Sequence, residues 1–353
     1  MFKKLRPIIF KFSPEVAHSL AIKALKTNLL PSHKLNNPST LSTNLFGKNI
    51  KTPVGVAAGF DKNAEVYNPL FNLGFGFVEV GTITPKPQYG NPKPRVFRLE
   101  EDNALINRLG FNNSGSEEIS RRINGNTPNG FLGINIGPNK DSDNRIDDYI
   151  KCFNKFYNLG DYITINISSP NTENLRELHN KNELKELLDA INEEKNKKKS
   201  NIPIAVKISP DIKNDYVEIL ADLLVENSVD LVILSNTTDQ SRDNLKNVNK
   251  LEKGGLSGKP LEKRSNDLIR NFYKIFKKKI KIIGVGGVDS GKSALEKILN
   301  GASLVQVYTG MVYKGPNIAL EISNEISDIL NTEGIKNISE IVGTKNWSWL
   351  VRS

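Results

Sequence analysis

Thiols and imidazoles are scarce: one cysteine, Cys152, and three histidines stand in 353 residues. A single thiol excludes a disulfide framework and any thiolate metal cluster, and it suits a reducing compartment. No His/Cys/Asp cluster has metal-ligand spacing, which disfavours a metal-dependent hydrolase. Long apolar runs are also missing, and no window approaches the ~18 consecutive apolar residues of a spanning helix. The N-terminus lacks the unbroken apolar stretch of a secretory signal, because Lys11, Glu15, His18 and Lys23 interrupt it, so the segment is expected to be retained. No Gly-x-Gly-x-x-Gly follows the first strand. Gly284-Val-Gly-Gly287 comes too late and runs into Val-Asp-Ser, which argues against a dinucleotide-binding sheet.

What is present is enough apolar sequence for a large core: 38% of residues are hydrophobic and 25% charged, which argues against disorder. The formal charge is +10. Within residues 1–30, Lys3, Lys4, Arg6, Lys11, Lys23 and Lys26 face only Glu15, a net +5, so half of the charge sits in the first thirty residues. Residues 13–27 open on Ser13, Pro14 and Glu15, an N-cap, a first-turn proline and a first-turn acid. Ala17, Leu20, Ala21, Ala24 and Leu25 recur at helical spacing. Together with Phe2, Leu5, Ile8, Ile9 and Phe10 they predict two short amphipathic helices with lysines at their margins, which either pack on the main domain or lie on a bilayer. Residues 31–52 read as a linker with a small hairpin.

From there a short β-branched run followed by a helical stretch recurs about eight times: 53–59, 76–82, 131–137, 162–168, 204–209, 231–235, 280–286 and 303–309. Strands that alternate with helices pair in parallel, and unbroken apolar runs such as Ile204-Ala-Val-Lys-Ile208 are buried on both faces. Eight repeats favour a closed (β/α)8 TIM barrel, an α/β fold, preceded by a small helical extension. The boundary is set at residue 35, giving a 1–35 segment and a 36–353 catalytic barrel. Two connections, 83–130 and 236–258, are overlong, and long loops in a compact fold are more often functional than not.

Chemistry in such barrels happens at the C-terminal ends of the strands. Those ends carry Ala57-Ala-Gly-Phe-Asp-Lys62, Gly81-Thr82, Asn135, Asn166 with Ser168 and Ser169, Lys207, Ser235-Asn-Thr237, Gly286-Gly287 and Tyr308-Thr-Gly310. Amides, lysines and hydroxyls, without histidine or a carboxylate pair, suit a flat, amide-rich molecule such as a pyrimidine or an isoalloxazine. Glycines at the ends of strands seven and eight suit the phosphate site this fold builds there, and so a phosphorylated cofactor.

The runs Ala57-Ala-Gly-Phe-Asp-Lys-Asn63, Gly81-Thr-Ile-Thr-Pro85, Gly90-Asn-Pro-Lys-Pro-Arg95, Asn107-Arg-Leu-Gly-Phe-Asn-Asn113, Gly133-Ile-Asn-Ile-Gly137, Asn166-Ile-Ser-Ser-Pro-Asn-Thr172, Gly254-Gly-Leu-Ser-Gly258 and Gly284-Val-Gly-Gly-Val288 resemble class 2 dihydroorotate dehydrogenases over nearly the whole chain, including Pro14-Glu-Val-Ala-His18. Two features carry the class: Ser169, where soluble class 1 enzymes are expected to have cysteine, and the N-terminal extension. The resemblance implies oxidation of (S)-dihydroorotate to orotate in pyrimidine biosynthesis, with one flavin mononucleotide (FMN) per chain and ubiquinone or menaquinone as electron acceptor. It implies Ser169 as catalytic base and Thr172 as a route for the proton. Flavin contacts fall on Ala58, Gly59, Phe60, Asp61, Lys62, Thr82, Asn135, Asn166, Lys207, Ser235, Gly258, Gly287, Tyr308 and Thr309. Substrate contacts fall on Lys62, Asn107, Arg108, Leu109, Gly110, Phe111, Asn166, Asn171, Asn236 and Thr237. Ser235 stands where threonine is usual and Thr309 where serine is common; both keep the hydroxyl.

On this resemblance the N-terminal helices form the quinone entrance, with His18, Arg98 and Tyr308 near the quinone head. The expected state is a monomer peripherally bound to the cytoplasmic face of the cell membrane, with no metal and no nucleic acid. Removing residues 1–35 is expected to abolish quinone turnover and spare flavin reduction. The rivals are a soluble dihydroorotate dehydrogenase using fumarate or NAD, an RNA-modifying flavin barrel drawn by the positive charge, and, least favoured because the polar ring is too complete, a non-enzymatic binding barrel.

Overall fold

The computed structural model describes residues 2–27, 38–240, 242–276 and 278–344. Eight parallel strands close into a barrel in strict chain order. They are β1 (Val54–Val56), β2 (Phe77–Ile83), β3 (Phe131–Ile136), β4 (Tyr162–Asn166), β5 (Ile204–Ile208), β6 (Leu231–Leu234), β7 (Lys281–Val285) and β8 (Leu304–Val307). Every residue of β2 to β6 is buried, which is why those segments read as continuous apolar runs rather than alternating ones. The eighth run ends sooner than its sequence suggests: Thr309 opens a short helix, Thr309–Lys314, instead of ending the strand.

Inside the barrel the side chains stack in layers. Phe77, Phe131, Tyr162, Leu231, Ile283 and Leu304, from the N-terminal parts of the strands, form an apolar layer. Leu45 and Ile50 of the hairpin Thr43–Leu45/Lys48–Ile50 join this layer and close that mouth. Above it lies the fully buried carboxylate of Glu79, and above that the polar ring.

The two long connections are not plain loops. They supply Val96–Leu99, Ala104–Asn107 and Gly255–Gly258, which pair as a three-stranded antiparallel sheet. Against this sheet packs the second of two N-terminal helices, α1 (Phe2–Ile9) and α2 (Pro14–Lys26). Ser13 holds the N-cap position of α2, but its hydroxyl makes no capping bond; only its carbonyl enters the helix, accepting from the Ala17 N–H. On α2, Ile22 and Leu25 are buried, whereas Leu5, Ile8, Phe12, Val16 and Leu20 of the N-terminal segment remain 41% to 57% exposed. The boundary placed at residue 35 lies outside the described residues. No described helix is long and apolar enough to cross a membrane.

Candidate active site

The strand ends converge on one cleft. Ala57, Ala58 and Gly59 leave β1, and the Gly59 N–H donates to Gly81 O at the end of β2 (2.7 Å). Thr82 Oγ1 donates to Asn135 Oδ1 (2.6 Å) and accepts from Asn166 Nδ2 (2.8 Å). Ser168 Oγ donates to Asn166 Oδ1 (3.0 Å) and accepts from Asn236 Nδ2 (2.9 Å), and Asn236 Oδ1 accepts from the Thr237 N–H (2.8 Å). Each amide is thereby fixed in orientation by a neighbouring strand, which a rigid polar site requires.

Ser169 lines the cleft just beyond β4, and its Oγ accepts from the Asn171 backbone N–H (3.2 Å). Asn171 Nδ2 donates in turn to Asn107 Oδ1 (3.3 Å), joining the β4 loop to the outer sheet. Opposite stand Gly258, Gly286 and Gly287, all at positive φ, together with Gly310. Thr309 Oγ1 shares a hydrogen bond with Ser257 Oγ (2.8 Å). At positive φ, only glycine keeps the backbone N–H groups free of Cβ strain.

Among the described residues, two cations and no carboxylate line the cleft: Lys62 and Lys207. Burial pushes the Lys62 amine down to about 8, and the carboxylate of Glu15 opposes that shift. Burial also lowers Lys207, with Glu79 opposing. Glu79 accepts from Asn135 Nδ2 (2.7 Å), Tyr162 Oη (2.9 Å) and Gln306 Nε2 (2.8 Å), so it is fully engaged below the floor. Gln306 lines the cleft, and its Oε1 is buried without a partner. A floor offering an unpaired acceptor and an ammonium, beside a glycine-rich rim, fits a flavin mononucleotide, whose ring carries N–H and C=O edges and whose tail is anionic.

Most of the residues singled out in the sequence meet at this cleft. Of the flavin and substrate contacts expected from the sequence, four do not line it. Asn135 is wholly buried behind Thr82. Asp61 accepts from the backbone N–H groups of Glu65 and Val66 (2.7 and 2.8 Å), and burial raises its pKa to about 6. Arg108 turns outward to Glu252 (2.8 Å) and lies over the Phe97 ring. Phe60 faces a second cavity. Conversely, sequence reasoning missed Gln306 and Glu79. A polar residue inside an otherwise apolar strand, as in Leu304-Val-Gln-Val307 and Phe77-Val-Glu-Val80, was the available signal. Thr172 is buried beside the site but is not part of the lining.

The second cavity, about 730 Å³, lies between α1, α2 and the barrel. It shares Lys62, Val96, Leu105, Leu109, Asn112 and Tyr308 with the first, so one wall separates the two. His18, Arg98 and Tyr308 all line it. The His18 ring meets Phe60 edge-on at 5.1 Å, and Phe60 meets Tyr308 at 6.4 Å. Burial, and then the charge of Lys62, lowers His18 to about 3, so its imidazole is neutral at ordinary pH. Arg98 donates to Phe10 O and Phe12 O (3.3 and 2.9 Å), with its Nε unpaired.

A family model described as dihydroorotate dehydrogenase matches residues 40–330. The chain belongs to the dihydroorotate dehydrogenase family. It is 46% identical to a dihydroorotate dehydrogenase (quinone) of Bartonella henselae, covering 94% of this chain and 93% of that one. A dihydroorotate dehydrogenase (quinone) of Allorhizobium ampelinum is 45% identical over 99% of this chain and 98% of its own length, N-terminal helices included. Among solved structures, the DHODH of Eimeria tenella in complex with ferulenol superposes with a TM-score of 0.91 at 39% identity, covering 94% and 95% of the two chains. The family's barrel and the N-terminal helices are thus both present, and the relatives matched along the full length are of the quinone type.

Proposed function

We propose that the chain oxidises dihydroorotate to orotate in the first cleft and passes the electrons to a membrane quinone through the second cavity, as a step of pyrimidine biosynthesis. The observation that carries this reading is the shared wall: a polar, cationic cleft containing Ser169 abuts a large cavity roofed by amphipathic helices. Overall, dihydroorotate and quinone become orotate and quinol. Ala58, Gly59, Lys62, Thr82, Asn166, Lys207, Ser235, Gly258, Gly287, Tyr308 and Thr309 would hold a flavin mononucleotide, which would supply the two-electron acceptor for the C6 hydride.

Ser169 Oγ takes the C5 proton as its own hydroxyl proton leaves toward Thr172 and solvent. A serine hydroxyl is a weak base, and the Asn171 N–H that donates to Oγ stabilises the alkoxide character that departure of the hydroxyl proton leaves there. Asn107, Asn171, Asn236 and Thr237 pair with the ring amides of the substrate, and Lys62 with its carboxylate. A look-alike lacking those groups leaves buried amides unpaired and is rejected. Lys207, held charged by Glu79, favours electron-rich ligand edges above it. The cavity behind Tyr308 takes the quinone, with the neutral His18 and Arg98 beside its polar head. The enzyme works as a peripheral protein on the cytoplasmic face.

Purified protein is expected to be yellow, to bleach when dihydroorotate is added anaerobically, and to recover its colour with a short-chain quinone. A colourless protein, or recovery with fumarate or NAD alone, would overturn this. S169A is expected to keep its flavin and bleach at least ~100-fold more slowly, the lower range for loss of a general base. Wild-type bleaching rates in S169A would remove Ser169 from the role.

A further inference from the structure

Glu15 lies in the first turn of α2, yet its carboxylate is engaged inside the barrel's long loop. Its Oε1 accepts from both Nε and Nη2 of Arg95, each at 3.0 Å. Arg95 is only 4% exposed, and its Nη1 donates to the carbonyls of Tyr89 (2.6 Å) and Asn91 (2.9 Å). Asn91 carries the constraint onward: its Nδ2 donates to Arg108 O (3.0 Å) and Asn171 O (3.3 Å), and its backbone N–H to Leu109 O (3.0 Å). The Arg108 N–H closes the loop on Arg95 O (2.9 Å). Asn107, Leu109 and Asn171 line the cleft. Lys62, in the wall between the two cavities, has Glu15 as the strongest charge holding it protonated, against burial and the nearby Arg95. One carboxylate from the N-terminal helix thus faces two buried cations, Arg95 in the loop behind the cleft and Lys62 in its wall. Buried charges are tolerated when paired, and removing one partner strands the other.

We propose that Glu15 is a positioning residue for the substrate: acting through Arg95 and Asn91, it sets the 107–111 and 169–171 walls of the cleft, so the N-terminal segment builds the dihydroorotate site as well as the quinone cavity. This rests on the activity proposed above. It also changes the expectation for truncation: a chain lacking residues 1–35 loses the carboxylate that orders the substrate walls, and its flavin reduction suffers along with quinone turnover. The effect belongs to binding rather than to proton or hydride transfer, since Glu15 touches neither Ser169 nor the lining amides.

The test uses full-length, flavin-loaded protein and two readouts: orotate binding by equilibrium dialysis, and steady-state turnover of dihydroorotate with a short-chain quinone. E15Q keeps an acceptor for Arg95 but removes the charge. Its orotate Kd and dihydroorotate KM are expected to rise at least tenfold, while kcat changes less than threefold. A purely structural role would instead lower the melting temperature and the active fraction without splitting KM from kcat. Should E15Q fail to fold, the neutral pair E15Q/R95Q removes the stranded cation and carries the same expectation for orotate. Orotate binding within twofold of wild type, in E15Q or in that double variant, overturns the proposal. Wild-type protein that binds no orotate overturns the activity itself and the inference with it.

Discussion

Lys62 shows how a single residue ties stability to ligand binding. Burial lowers its pKa from 10.5 to about 8, so between those values the unfolded chain binds more protons than the folded one. Stability of the ligand-free protein therefore rises as pH climbs from 8 to 10.5, because the folded state no longer has to bury an ammonium. Orotate affinity runs the opposite way. In the proposed role Lys62 meets the ligand carboxylate as a cation, so affinity is constant below about pH 8 and falls roughly tenfold per unit above it. Calorimetric titration of orotate from pH 7 to 9.5 checks this, with K62M expected to be weak and flat over the same range. A flat wild-type profile would place the carboxylate elsewhere. Ser169 is a different kind of residue. Alone it would pass for a turn serine, and its standing comes from the amides around it and from the Asn171 N–H on its oxygen.

At the scale of elements, α1 and α2 present two faces with different partners. Ile22 and Leu25 pack inward, leaving Leu5, Ile8, Phe12, Val16 and Leu20 as an exposed apolar row next to lysines, of which Leu5, Phe12 and Leu20 also border the second cavity and Ile8 and Val16 do not. Such a row suits partial immersion in a bilayer surface, with the lysines meeting anionic headgroups. I8E/V16E is expected to lose at least tenfold in binding to anionic vesicles, with quinone turnover in vesicles falling in parallel and anaerobic bleaching unchanged; flotation measures the first. Undiminished flotation would mean that the row faces something else. These helices were legible in the sequence because their signals are local: Pro14 at the first position, the 3.6-residue spacing, the cluster of lysines. The eight strands were legible for the same reason, as was the polar chemistry at their ends. Three features were not. The strand Ala104–Asn107 meets Gly255–Gly258 across roughly 150 residues, a pairing no local pattern encodes. Arg95 and Glu15 are 80 apart. Ser13 looks like a capping residue in sequence, and only the backbone geometry around it shows that its hydroxyl is unused.

The molecule as a whole is a stack: an apolar plug, a charged middle layer, a polar working surface. The middle layer decides whether the barrel interior is merely filled or is organised from Glu79. Its carboxylate receives donors from β3, β4 and β8 while sitting on β2, and it opposes the loss of charge on Lys207 of β5, so five of the eight strands meet in one buried group. Replacing it with leucine fills the space but leaves three donors and a buried cation unanswered, and is expected to cost about 3–5 kcal/mol. Glutamine should cost less, about 2 kcal/mol or under. Gln306 Oε1 is now unpaired, so turning that amide over lets it accept from the new side-chain N–H, and the Tyr162 hydroxyl can likewise rotate to accept. Urea unfolding of E79L and E79Q separates the two: a gap of about 1 kcal/mol or more in favour of E79Q is the expected result. Equal losses would mean that the layer is held by side-chain volume alone, and that the amides of Asn135 and Gln306 take their orientation from elsewhere.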